Sequence, residues 1–291
     1  MEVRKAVVPA AGCGTRFLPI TKSQPKEMLP LVDRPIIQYA VEEALAAGLH
    51  DLVFVTSQGK QAIEDYFDRS GELENLLQQR GEMKLLECVC HLSNMVDIVY
   101  VRQKQPLGLG HAVLMAEVIV GKEPFGLFLP DDIFVATHPV ISQLLDAYKE
   151  LGGCILAVQR VQHEETKRYG IITPNKIGDH LYQVMDLVEK PSPEQAPSDL
   201  AIVGRYVLQP SIFEALKVTP PGKGQEIQLT DGLRRLLSRE KIYAVEFDGT
   251  RYDAGTPIEW LKATIALALR HPEIGPEIKS YLSASMQPEH V

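Results

Sequence analysis

Cysteine is scarce: Cys13, Cys88, Cys90 and Cys154 are the only four in 291 residues. That excludes a disulfide-stapled scaffold, since such folds are small and dense in paired thiols. No apolar run approaches the roughly 20 residues that a membrane span needs. The first ten residues, MEVRKAVVPA, lack the length and cleavage pattern of a secretion signal and read as a strand. Together these absences point to a cytoplasmic protein with no membrane partner. Excess positive charge is missing too: 30 basic side chains face 38 acidic ones, a net of -8. A general nucleic-acid binder is excluded on that ground, although a local cationic pocket for a phosphorylated small molecule is not. Cys88, Cys90 and His91 lie close in sequence, but no second ligand pair at zinc-finger spacing follows, so they read as ordinary residues.

What is present is an alternation of apolar runs and helical periodicity. KAVVPA (5–10), DLVFVTS (51–57), DIVYVRQ (97–103), FGLFLPDD (125–132) and CILAVQRV (154–161) read as strands. Helical stretches separate them, among them RPIIQYAVEEALAAG (34–48) and PVISQLLDAYKELGG (139–153), with a helical hairpin over 71–95. This pattern predicts an α/β fold: a Rossmann-like, doubly wound, mostly parallel or mixed sheet flanked by helices. After residue 162, YGIITP, LYQVMDLVEKP and AIVGRYVLQP read as an appended antiparallel strand element. Helices are expected over 226–240 and 256–270. No linker or repeat breaks the chain. One domain over 1–291 is the expectation, with parts at about 1–162, 163–255 and a helical segment at 256–291.

The segment PAAGCGTRFLPITKSQPKEMLP (9–30) leaves the first strand as a long cationic loop. A dinucleotide fingerprint would need glycine at position 17, where Phe17 stands, and no Walker-type phosphate loop is present. Gly12-Cys13-Gly14 is either a plain tight turn or a turn that lets backbone N–H groups reach a ligand. Thr15, Arg16, Lys22 and Lys26 follow at once and suit a polyphosphate chain. Pro19, Pro25 and Pro30 would stiffen the loop. Its place at the carboxyl end of a strand is where open parallel sheets bind ligands. Asp132 reads as a cap or turn residue, Gly108 and Gly110 as helix-start glycines, and His111 as a helix-surface residue.

Gly12-Cys13-Gly14-Thr15-Arg16, followed by Pro25-Lys26-Glu27-Met28-Leu29-Pro30, resembles the signature of the sugar-phosphate nucleotidylyltransferases. The likeness continues through RPIIQY, Arg102-Gln103, LGLGHA (107–112), Pro130-Asp131-Asp132, Tyr169-Gly170, Val188-Glu189-Lys190-Pro191 and EIQLTD (226–231). These blocks run in order over about residues 5–255 and are most similar to the uridylyl branch. Two features depart from that branch. Asp253-Ala254-Gly255-Thr256-Pro257 is closer to the thymidylyl pattern, and Gln225 stands where a second glycine is expected.

The resemblance implies a nucleotide-binding first part and a sugar-binding second part. It implies attack of the glucose 1-phosphate oxygen on the α-phosphorus of UTP, with Mg2+, giving UDP-glucose and pyrophosphate. Arg16 would grip the triphosphate, Lys26 the α-phosphate, and Lys190 the sugar phosphate. Ala11, Gly12, Gly14, Thr15, Gln103 and Gly108 would hold the nucleotide, with the Gln103 amide both donating and accepting at the base. Gly170, Glu189 and Gly204 would meet the sugar, and Asp131 and Asp253 the metal. Relatives of this kind assemble as homo-oligomers, so a dimer or tetramer is expected. Two alternatives stand: a thymidylyltransferase, and a nucleotide-sugar-binding regulator without catalysis. The joint presence of Arg16, Lys26, Asp131, Lys190 and Asp253 speaks against the regulator.

Overall fold

In the computed structural model, which describes residues 2–285, thirteen strands and eleven helices follow one another. The strands are β1 (Lys5–Pro9), β2 (Pro30–Leu31), β3 (Arg34–Pro35), β4 (Asp51–Thr56), β5 (Ile98–Arg102), β6 (Phe125–Phe128) and β7 (Asp132–Val135). They continue with β8 (Cys154–Arg160), β9 (Gly170–Gly178), β10 (Leu181–Glu189), β11 (Leu200–Leu208), β12 (Ile242–Glu246) and β13 (Thr250–Asp253). The helices are α1 (Ile36–Ala46), α2 (Gln61–Phe67), α3 (Gly71–Gln79), α4 (Met83–Met95), α5 (Leu109–Met115), α6 (Glu117–Val120) and α7 (Val140–Leu151). The last four are α8 (Ser211–Lys217), α9 (Leu229–Leu236), α10 (Pro257–Arg270) and α11 (Gly275–Ser285).

Nine strands form one mixed sheet in the order β5-β4-β1-β6-β11-β8-β12-β10-β9. The β5, β4, β1 and β6 neighbours are parallel, as their helical crossovers require. Alternate residues of β1 feed opposite faces: Val7 joins one core, and Ala6 and Val8 the other. The expected mixed α/β sheet is therefore present, with one displacement. The pattern reads β8 as the strand after β6 and puts β11 in an outer extension. Instead β11 lies between them, antiparallel to both. All nine residues of LAIVGRYVL are buried, and a strand covered on both faces belongs at a sheet centre.

A helix over 226–240 is also shorter than expected, because α9 begins only at Leu229. Residues 226–228 stay extended. The Ile227 N–H donates to Leu107 C=O, and the Ile227 C=O accepts from the Gly110 N–H, each at 2.8 Å. Those bonds take the groups a helix would use. Helix α10 starts as its sequence dictates: Thr256 caps it by accepting the Glu259 N–H, and Pro257 fills the first turn. The helical hairpin over 71–95 forms as α3 and α4, with Cys88 and His91 exposed and Cys90 half-buried on α4.

The long loop after β1 is neither free nor regular. It makes three single turns of 3-10 helix, at Thr15–Phe17, Ile20–Lys22 and Lys26–Met28. Phe17 and Leu29 plug a third apolar cluster with Leu31, Ile36, Ile133, Ala254 and Ala263. Burial of a side chain of that size is worth roughly 1.5–3 kcal/mol. The Trp260 indole N–H on α10 donates to Pro30 C=O at 3.1 Å and fastens the loop's end.

Candidate active site

Two cavities open along the carboxyl ends of the central strands, of about 520 Å³ and about 770 Å³. Leu109, Leu129, Asp131 and Glu226 line both, so they form one cleft with Asp131 at the joint.

Ala11, Gly12, Thr15, Lys26, Gln103 and Gly108 line the smaller cavity. A Cβ added at Gly12 would meet nothing within 4 Å, so packing of the protein does not require glycine there. Gly108 differs. Its φ is +101°, and a Cβ would stand 2.7 Å from that of Glu226. Gly14 lines neither cavity. It sits in the left-handed region at φ +64°, its C=O accepting the Thr21 hydroxyl at 2.8 Å, and serves the turn. Lys22 is exposed and lines neither cavity, so the cation of the second turn points away from the cleft.

Gln103 is oriented by the protein. Its amide nitrogen lies 3.2 Å from Gly108 C=O and 2.8 Å from His111 Nδ1. The carbonyl fixes which end is nitrogen, so the His111 Nδ1 is the acceptor. Burial holds the His111 imidazole below its usual range, which favours that neutral form. Both amide hydrogens are thus spent inside the protein. With these bonds in place, the amide oxygen is the atom left to accept from a base. His111, read from sequence as a surface residue, is an orienting one.

Arg16, Asp131, Gly170, Glu189, Lys190, Gly204 and Asp253 line the larger cavity. Lys190 follows β10 at φ +46°, a strained setting for lysine, and its ammonium lies 3.1 Å from Glu189 Oε1. At Gly204 a Cβ would stand 2.4 Å from Asp132, whose Oδ2 accepts the Gly204 N–H at 3.0 Å. A Cβ at Gly170 would meet the Thr230 hydroxyl at 2.7 Å.

At the joint, Lys26 Nζ lies 2.6 Å from Asp131 Oδ2. Burial works against both charges. Asp131 beside it nevertheless raises the Lys26 ammonium above its ordinary value, and Lys26 in turn lowers the Asp131 carboxyl. Asp253 reaches Asp131 because β13 pairs antiparallel with β7, and the Ala254 N–H donates to Asp131 C=O at 2.7 Å. A Cβ added at Gly255 would stand 2.9 Å from Asp253 Oδ1 and 3.2 Å from Asp131 Oδ2. The two carboxylates thus face a gap that only glycine leaves open. Among the described residues no three His, Cys, Asp or Glu side chains converge to hold a metal. A magnesium ion fits two carboxylates at such a gap, since it normally takes its remaining oxygens from phosphate and water.

Several supports left little mark in the sequence. Asp132, read as a cap, is buried and paired with Arg251, whose Nε lies 2.5 Å from Oδ1. Burial keeps the Asp132 carboxyl above its ordinary value. Arg205 is fully buried on β11 and pairs with Glu43 of α1 at 2.8 Å. It also donates to the carbonyls of Leu129 and Asp132, the ends of the turn that carries Asp131. Glu27 pairs with Lys60 at 2.6 Å, both buried, which ties the cationic loop to the start of α2. Only the buried charge types hint at these pairs. Their partners lie too far along the chain for spacing to signal.

The chain matches the nucleotidyl transferase family over residues 5–268. It is 50% identical over 281 residues to a UTP–glucose-1-phosphate uridylyltransferase of Bacillus subtilis, covering 97% of this chain and 95% of that one. A protein of the same description from Staphylococcus epidermidis is 48% identical over 97% of this chain and 98% of its own. Among solved structures, a UTP-bound UGPase from Acinetobacter baumannii superposes with a TM-score of 0.91 at 38% identity, over 98% of this chain and 100% of that one. A UDP-glucose pyrophosphorylase complexed with UDP-glucose superposes with a TM-score of 0.85 at 44% identity, over 93% and 100%. With its cleft built at the joint of two carboxylates and relatives 48–50% identical along nearly all of it, the chain belongs to the nucleotidyl transferase family.

Proposed function

We propose that the protein transfers a uridylyl group from UTP to glucose 1-phosphate, forming UDP-glucose and pyrophosphate. The observation that carries this reading is the joined cleft. The cationic loop puts Lys26 on one side and Arg16 on the other, where Arg16 joins the Glu189-Lys190 pair, and Asp131 stands where the two meet. The names of the relatives support the choice of base and sugar.

In this reading an oxygen of the sugar phosphate bonds to the α-phosphorus. The bond from that phosphorus to the bridging oxygen breaks, and its electron pair leaves with pyrophosphate. The nucleophile is already anionic, so no general base is needed, and positioning and charge stabilisation do the work. The Gln103 carbonyl oxygen accepts the N3–H of uracil beside the backbone of Ala11 and Gly12. Arg16 and Lys26 hold the triphosphate, and Lys190 the sugar phosphate. Glu189 accepts from glucose hydroxyls, beside the backbone of Gly170 and Gly204 in the same cavity. Asp131 and Asp253 hold Mg2+, which when bound neutralises charge on the phosphates. Gly14 supports the turn rather than the ligand.

The cytoplasm, where both phosphorylated substrates are made, is the setting that fits. The described residues contain no helix long and apolar enough to cross a membrane. The continuous nine-stranded sheet supports a single catalytic domain. Ile258, Leu261, Ile265 and Leu269 are exposed at helical spacing on α10 and support a homo-oligomer formed through that face.

The test is pyrophosphate release over a grid of nucleoside triphosphates and sugar 1-phosphates. UTP with glucose 1-phosphate should dominate. Preference for dTTP would instead establish the thymidylyl alternative, and binding without pyrophosphate release the regulator.

A further inference from the structure

Asp253 offers its two oxygens to different partners. Oδ1 accepts the Gly255 N–H at 2.7 Å, a bond inside its own turn. Oδ2 is the outward oxygen, and the Arg168 guanidinium donates to it at 2.9 Å. Arg251 also approaches Oδ2, at 3.8 Å, but is locked elsewhere. Its Nε is on Asp132, its Nη1 lies 3.3 Å from the Tyr169 hydroxyl, and its side chain is only 7% exposed. The Arg168 side chain is 36% exposed, with two further weak contacts, to Glu165 at 3.5 Å and over the Tyr169 ring at 5.5 Å from its centroid. Of the two arginines only Arg168 is able to leave. It lines the same cavity as Lys190.

The neighbouring carboxylate shows the same arrangement. Asp131 Oδ2 carries the Lys26 ammonium at 2.6 Å. Each carboxylate beside Gly255 thus has one short ion pair, to a side chain that also lines the cleft, while Arg251 at 3.8 Å from Asp253 and Arg16 at 3.5 Å from Gly255 C=O stand farther off. A divalent cation would replace both without changing the local charge, and both side chains would be released toward phosphate groups.

We infer that Arg168 is the exchangeable counter-ion of Asp253: a divalent cation competes with it for Oδ2, and the displaced guanidinium turns to the phosphate monoester of the sugar substrate. This rests on the reading of Asp131 and Asp253 as the metal's carboxylates. An ion pair this exposed contributes little, so the exchange opposes metal binding only weakly. A guanidinium presents a planar fork that matches a phosphate, which suits it to the second half of the exchange.

The experiment measures Mn2+ binding to the full-length protein without nucleotide, by the paramagnetic resonance of the free ion. Arg168→Gln should bind Mn2+ about two- to five-fold more tightly than wild type, the span of an exposed ion pair. Arg168→Lys should stay near wild type, because the charge is kept. Asp253→Asn should bind more weakly. In turnover, Arg168→Gln should raise the KM for glucose 1-phosphate about tenfold while leaving that for UTP nearly unchanged. Wild-type Mn2+ affinity in Arg168→Gln, beside weakened binding in Asp253→Asn, would overturn the exchange and leave the metal site standing. Wild-type affinity in both Asp131→Asn and Asp253→Asn would remove the metal reading itself.

Discussion

At the scale of single residues, two glycines of the cleft separate ligand space from packing. Gly12→Ala should leave thermal stability within about 0.5 kcal/mol of wild type, because its Cβ meets no protein atom, yet raise the KM for the nucleotide. Gly204→Ala should lower the melting temperature, because its Cβ would collide with buried Asp132. Calorimetry and steady-state kinetics on the two variants check this contrast, and equal melting temperatures would contradict it. Lys26→Ala should lose at least about a hundredfold in kcat while keeping its circular dichroism, the loss typical when one charge-stabilising donor is removed. His111 carries a pH prediction. Burial lowers its folded-state pKa, so below about pH 6.5 the unfolded chain binds more protons than the folded one. The stability contribution is full above that pH and is lost as pH falls through the lower folded value. His111→Asn should flatten the wild-type loss of melting temperature in that window; identical slopes would dismiss the role.

At the scale of elements, the cationic loop owes its position to contacts that its own composition does not announce. Prolines and 3-10 turns stiffen it, but Phe17 and Leu29 in the third cluster and the Glu27–Lys60 pair hold it to the fold. Glu27→Gln strands a buried ammonium and should destabilise by about 3–5 kcal/mol in chemical denaturation. The double variant Glu27→Gln with Lys60→Met should recover most of that loss. If the single variant is as stable as wild type, the pair does not anchor the loop. Strand β11 plays the corresponding part at the larger cavity. It brings Gly204 to the cavity wall and Arg205 under the turn that presents Asp131.

At the scale of the whole molecule, the cleft exists because the strands that carry its two cavities share one sheet. Removing divalent ions with a chelator should abolish pyrophosphate release, and Mg2+ should restore it. Undiminished turnover in chelator would count against both carboxylates. Ile265→Lys in the exposed apolar face of α10 should reduce the mass seen by light scattering without lowering helix content; an unchanged mass would count against assembly through this face.

Much of this was legible in the chain itself. Periodicity fixed most strands and helices, because side-chain spacing is a local property. Arg16 and Lys26 stood out as cations at the carboxyl end of the first strand, whereas Asp131, Glu189, Lys190 and Asp253 were marked by the family resemblance and not by their own spacing. Tertiary structure decided the rest. It placed β11 at the sheet centre, turned Gln103 with His111, and gave Asp132 to Arg251 instead of to a cap. It also set Asp253 across Gly255 from Asp131. Strand order and the partner of a buried charge are contacts between distant segments, and no local spacing encodes them.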